Sequence, residues 1–434
     1  MRIRTNTFIC SVVLAAQAGA VRANEATPVQ IQALRDQVTA LKQEQENAVA
    51  QIRARTDEKI AAIEAALAKL SPAGASQTPS PAPALQAAAP QPNGGTQLPA
   101  GLKFSGDFRL RFESTTGASN TPDRERGVMR ARLGAKYDIT DALTLGARVA
   151  TGDPDDPNST DVTLSDFADD LTISLDQAYL RYHRGRAELY GGKIPNPFTR
   201  TELVWDGDVN PQGASASWSV PVGAAVARVT SIYSIVDEQA AGPDSDLRGV
   251  QLGLAVPSGR WSFDVAGAYY DYDLDSLAGA GTGDTRSNLL TPDGAHYLSD
   301  FNLIDVVGSA TLQSADPRWP LKLVANYVRN SGAATSADTG YGVDFLLGRS
   351  SSVRDLRLGY GYSVAETDAV FAAFSHDNTT LATNYQQHTL ALDYMLTPNS
   401  ALNGTWYHYR LNDAPDGATD EWLDRIRLNV LVQF

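Results

Sequence analysis

The chain has 434 residues, 43% of them hydrophobic, and a net charge of −14. That balance excludes a disordered chain and a nucleic-acid-seeking one, and it is enough for a large folded body. Past the N-terminus no apolar run approaches the roughly 18 residues of a spanning helix, which excludes helical membrane spans and leaves a strand-built crossing open.

The first 23 residues read as a signal peptide. Arg2 and Arg4 precede an apolar core from Phe8 to Ala16, and small residues follow, ending at Ala20 or Ala23. The only cysteine, Cys10, falls inside this peptide and too early for lipoprotein cleavage. The mature chain therefore has no thiol, which excludes disulfides, thiolate nucleophiles and cysteine-ligated metals.

Residues 27–71 read as a helix. Thr27 is placed as its cap, Pro28 takes the first helical position and Gln30 completes a capping box. A narrow stripe follows through Ile31, Leu34, Val38, Leu41, Val49, Ile52, Ile60, Ile63, Leu67 and Leu70, with Gln45 and Thr56 in the same frame. Steps of three and four mix heptads with eleven-residue units, which predicts a coil that locally straightens. Such a stripe cannot bury itself alone, so it predicts a parallel periplasmic coiled coil between subunits; the alternative is a helix lying on the rim of its own barrel. From 72 to 101 the composition turns to Pro, Ala, Ser and Gln, an extended linker.

Residues 102–434 carry sixteen strand-like runs, and what separates them alternates between short and long. The short connectors lie at 138–141, 183–186, 220–223, 257–260, 314–320, 350–354 and 397–400; the long ones lie at 114–124, 152–170, 195–211, 237–246, 273–300, 330–340, 366–384 and 412–420. Within 366–384, the segment from Asp368 to Phe374 also reads as a possible extra strand. In WSFDVAGAYYDY, Trp261, Phe263, Val265 and Tyr269 share one parity, and Ser262, Asp264, Ala266 and Tyr270 the other. The last run puts Ile426, Leu428, Val430, Val432 and Phe434 on one side and Arg425, Arg427, Asn429 and Gln433 on the other. The fold class this predicts is all-β and transmembrane: a closed antiparallel β-barrel of sixteen strands behind an N-terminal α-helical coiled-coil segment. Closure leaves no unpaired edge, which is how strands cross lipid.

Arginines recur at one parity of the first three strands and the last: Arg109, Arg111, Arg130, Arg132, Arg148, Arg425 and Arg427. On a lipid face each would cost roughly 2–4 kcal/mol near the midplane, so the shared parity identifies the wet side of the wall. If the barrel closes, the first and last strands are neighbours and the seven form one basic patch; the plainer alternative is that nearby carboxylates neutralise each of them. The third long loop, PNPFTRTELVWDGDVNP, carries Glu202, Asp206 and Asp208 beside Phe198 and Trp205. Its aromatic pair predicts a loop folded into the barrel, with the acids facing the arginines across a constriction. The aspartates of the second long loop do not have calcium-loop spacing and predict a solvated acidic loop. No metal and no cofactor is expected.

The segments GDFRLRF, LGAKYDITDALTLGARVATGD, LDQAYLRY, GGKIPNPF and LVWDGDVNPQG resemble the putative porin family of Gram-negative outer membranes, from Lys103 to Gly213 and more loosely to Phe434. The resemblance implies a sixteen-strand, trimeric channel for passive diffusion of small hydrophilic solutes and ions. Phe434, with Val432 and Val430, is similar to the sorting signal read by the barrel-assembly machinery. The coil is similar in placement to those preceding phosphate-selective porins. In general porins the loop after the fifth strand narrows the pore; 195–211 matches it by position and departs from it in lacking a glycine-rich bend. Arg109, Arg111, Arg130 and Arg132 match the arginine-bearing first two strands, whereas the other arginines are read from this chain alone. The partners implied are outer-membrane lipid and lipopolysaccharide, the barrel-assembly machinery and further copies of the chain, with no nucleic acid. A barrel enzyme would need a catalytic histidine, and His183, His296, His376, His388 and His408 sit in no recognisable motif, so no enzyme is expected. The other class is a structural outer-membrane anchor whose coiled coil binds the cell wall or a partner.

Overall fold

The structure, a computed structural model, describes residues 101–434 except 118–121, 166, 167, 169, 241, 276, 278, 279 and 415–419. The signal peptide, the coiled coil and all but the last residue of the linker lie outside the described residues.

The first strands are β1 (Leu102–Thr116), β2 (Arg124–Asp138), β3 (Leu143–Thr151), β4 (Val162–Thr163), β5 (Ile173–Arg184) and β6 (Ala187–Lys193). Next come β7 (Gln212–Val222), β8 (Ala225–Asp237), β9 (Ser245–Ser258), β10 (Trp261–Asp273), β11 (Phe301–Leu312) and β12 (Leu321–Asn330). The last are β13 (Thr339–Gly348), β14 (Leu356–Ala365), β15 (Tyr385–Thr397), β16 (Ser400–Leu411) and β17 (Leu423–Gln433). Sixteen of these form the wall, each antiparallel to its neighbours, and the sheet closes because β1 pairs with β17 as well as with β2. Tight turns gather at one end and long loops at the other, as the spacing predicts. Three of the tight turns hold a glycine with φ near +60° at their first position, namely Gly185, Gly223 and Gly259, which a type II′ hairpin requires.

β17 shows how the wall sorts its side chains. Ile426, Leu428 and Val430 are 44%, 54% and 43% exposed, while Arg425 and Arg427, on the other parity, are 6% and 3% exposed. The same contrast sets Leu110 and Phe112 of β1 outside and Arg111 and Glu113 inside. The barrel is therefore apolar outside and charged within, the reverse of a water-soluble fold.

At the seam, Asp107 to Thr116 of β1 run in register with Asp424 to Gln433 of β17, and the chain end is tied by Gly106 N–H to Phe434 O (2.9 Å) and Phe434 N–H to Gly106 O (3.0 Å). A Cβ at Gly106 would overlap the Phe434 ring and lie 2.7 Å from the Arg132 carbonyl oxygen. Gly106→Val is therefore expected to destabilise closure by about 1–3 kcal/mol through overpacking. The check is the fraction of refolded protein that keeps compact mobility on an unheated gel, which should fall.

β3 has only nine residues against fifteen in β2, so it pairs with Arg132–Asp138 and leaves the loop-end half of β2 without a partner on the side away from β1. The second long loop fills the gap. β4 pairs with Val128 and Met129, and Leu164 N–H reaches Gly127 O at 2.9 Å. This corrects the expectation of a solvated acidic loop: Asp153 and Asp155 are exposed, but the chain from Asn158 to Thr163 lies against the inner wall because an unpaired edge there would leave backbone groups unsatisfied.

An apolar cluster lies inside the tube near its loop end. Phe198, Leu203 and Trp205 of the third long loop and Val370 and Phe371 of the seventh pack on Tyr270 of β10 and its neighbours. The segment from Asp368 to Phe374 is thus a series of turns rather than an extra strand. Among the described residues the only helix is the single turn Thr282–Thr285.

Candidate functional site

The inner face of β17, β1, β2 and β3 carries the seven arginines named from the sequence, together with Arg126. Register sets Arg109 opposite Arg130 and Glu113 opposite both Arg126 and Arg427. At an effective dielectric of about 20, two like charges 4 Å apart repel by about 4 kcal/mol. The wall stands because carboxylates are interleaved. Arg132 Nε donates to Asp107 Oδ2 at 2.7 Å and Arg130 Nε to Asp107 Oδ1 at 3.1 Å. Asp161, from the second long loop, bonds Arg109 and, at 2.7 Å, Arg111 Nη1. Arg148 bonds Asp176 of β5. Glu113 binds Arg427 Nε at 2.7 Å and Arg126 Nη2 at 2.6 Å, with Arg425 at 3.8 Å and Arg111 at 3.9 Å.

The third long loop reaches this wall with one of its three acids. Asp208 accepts from Arg132 Nη1 at 2.7 Å and lies 3.7 Å from Arg130. The loop's aromatics are on the other side: Phe198 meets Tyr270 edge-on at 5.1 Å, Trp205 is fully buried against Tyr270 at 5.7 Å, and Thr199 exchanges two 2.8 Å bonds with Gln251 of β9. Glu202 is exposed. Asp206 is buried, and that burial, with Glu202 and Asp377 nearby, pushes its carboxyl far above the usual carboxylate range; Glu202 is raised as well, so the pair holds a proton at neutral pH. An acid whose folded value is raised supports folding fully below its unfolded value and loses that support as pH rises toward the folded one. Stability of the refolded barrel is therefore expected to fall as pH rises from about 4, and Asp206→Asn should flatten that slope in thermal unfolding measured across pH.

Arg425 and Arg427 have a further partner. Arg425 Nη1 donates to Asn378 O at 3.1 Å and Arg427 Nη2 to Asp377 O at 3.2 Å, both in the seventh long loop. A cavity of about 860 Å³ lies near the loop end, lined by Asp153, Asp156, Lys193, Asp208, Tyr297 and Phe371 among others. Among the described residues no group of three His, Cys, Asp or Glu side chains could hold a metal.

The carboxylates Asp107 and Glu113 and the cation Arg126 were not singled out from sequence, although strand parity places all three beside the named arginines. Asp161 and Asn378 carried no such signal, since they come from loops. Val430 and Val432 face outward in β17, and Phe434, 63% exposed, follows them.

Residues 113–278 match the family described as Putative porin. No curated protein matches the sequence. Among solved structures, the high-pH structure of Pseudomonas putida OprB superposes with a TM-score of 0.52 at 14% identity, covering 77% of this chain and 94% of that one. OmpT, an outer membrane protein of Vibrio cholerae, in its trimer form, gives 0.47 at 11%, covering 77% and 99%, and Salmonella typhi OmpF in complex with daunomycin gives 0.46 at 12%, covering 77% and 97%. At 14% identity the likeness to OprB is one of fold.

Proposed function

With the match to the Putative porin family as premise, we propose that this barrel is an outer-membrane porin: a water-filled channel through which small hydrophilic solutes and ions diffuse passively, without catalysis. The observation that carries the reading is the inversion of the wall, apolar outside and charged within, on a sheet that has no edge. Its constriction lies between the arginine wall (Arg109, Arg111, Arg130, Arg132, Arg148, Arg425 and Arg427) and the third long loop with Glu202, Asp206 and Asp208. Asp208 touches the wall, so the field there comes from interleaved pairs.

The outward band sits in lipid and lipopolysaccharide. Val430, Val432 and Phe434 serve as the signal to the assembly machinery, and the coil of 27–71 joins three copies in the periplasm behind a cleaved signal peptide. Liposome swelling tests the channel. Vesicles carrying the refolded protein should swell in small sugars and amino acids at rates that fall with solute size, whereas swelling no faster than in protein-free vesicles would leave only an anchor.

A further inference from the structure

The seventh long loop, 366–384, spans the lumen. At one side Phe374 stacks on Trp205 at 5.4 Å and accepts from Asp206 N–H at 2.8 Å, against the β10 wall. At the other it rests on β16 and β17, nearly diametrically across the ring. The contact there centres on Asn378, flanked by Arg427 Nη2 to Asp377 O at 3.2 Å and by Thr380 Oγ1 with Tyr409 OH at 3.1 Å. Arg427 Nη1 donates to Asn378 Oδ1 at 3.0 Å, Tyr407 OH donates to the same oxygen at 3.2 Å, and Arg425 holds the Asn378 carbonyl. Asn378 N–H is taken by His376 Nδ1 at 3.2 Å. Burial, then the cations Arg286, Arg427 and Arg425, draw the His376 imidazole down to about 3, so Nδ1 remains an acceptor at neutral pH. Asn378 Oδ1 serves purely as an acceptor here, and the arginines it meets are among the most deeply buried cations of the wall.

We propose that Asn378 is a positioning residue that clamps 366–384 across the lumen as a second constriction element beside the third long loop, masking Arg425 and Arg427 from passing ions. The inference rests on the channel reading. Releasing the clamp widens the path and uncovers two guanidinium groups, so conductance and ion preference change together, which loosening of the fold alone would not produce.

The experiment compares wild type, Asn378→Leu and Asn378→Asp in planar bilayers under a potassium chloride gradient. Asn378→Leu is expected to raise single-channel conductance and move the reversal potential toward that of chloride. Asn378→Asp keeps the acceptor oxygen and should hold the wild-type conductance, while its added negative charge moves the reversal potential toward that of potassium and not toward that of chloride. A wild type that does not conduct ends the channel reading; a conducting wild type that Asn378→Leu leaves unchanged in both readouts overturns the clamp. If the leucine variant fails to fold, phenylglyoxal labelling of wild type followed by mass spectrometry decides. Arg425 and Arg427 should react far more slowly than Arg318, whose side chain is 66% exposed, and equal reaction rates would refute masking.

Discussion

Replacing Arg109, Arg111, Arg130 and Arg132 together with glutamine is expected to turn the channel toward cations. The quartet contributes four positive charges and engages Asp107, Asp161 and Asp208. Its removal leaves those three carboxylates facing water. One uncompensated carboxylate 4 Å from an ion is worth about 4 kcal/mol at an effective dielectric of 20. Even about 1.4 kcal/mol surviving between permeating anion and cation is a tenfold change in relative permeability. The reversal potential in a potassium chloride gradient should move toward that of potassium, most at low salt, where the Debye length exceeds about 10 Å. An unchanged reversal potential would sink the assignment of this wall to the conduction path.

The second large effect concerns stability. Glu113 is 2% exposed and stands within 4 Å of Arg111, Arg126, Arg425 and Arg427, two of them from the far end of the sequence. Glu113→Gln removes the anion and leaves those guanidinium groups to repel one another across the β1–β17 seam. Breaking a buried pair in this way costs about 3–5 kcal/mol, and Asp161 can relieve only Arg111. The urea midpoint of the protein refolded into vesicles should drop sharply. Asp316→Asn is the control, because Asp316 pairs with Arg318 on an exposed turn, where such pairs contribute about 0–1 kcal/mol. If Glu113→Gln proves as stable as Asp316→Asn, the seam does not depend on this charge cluster.

The barrel was legible because its rule is local. Alternation at Ile426, Leu428 and Val430 against Arg425 and Arg427 needs no knowledge of the rest of the chain, and the tight turns bear their own glycines at 185, 223 and 259. The partners of the arginines were only half legible. Asp107 and Glu113 sit at the same parity within the same strand, so the interleaving was written there. Asp161 and Asn378 approach from loops whose path depends on what the wall leaves open: the short β3 for one, the space beside Trp205 for the other. The segment from Asp368 to Phe374 misled for a related reason. Ala369, Val370, Ala372 and Ala373 are almost fully buried among loops, and periodicity does not separate a segment buried on all sides from a strand. Of the third long loop, the aromatics announced an inward fold, but no local feature told which acid would meet the arginines and which pair would hold a proton.

Selectivity of any kind depends on the tube holding water from end to end. The most direct test is single-channel recording of the refolded wild-type protein in a planar bilayer. A water-filled tube gives discrete, long-lived conductance steps whose size scales with the conductivity of the bathing salt. A protein that inserts, keeps its strand content and passes no current would contradict it.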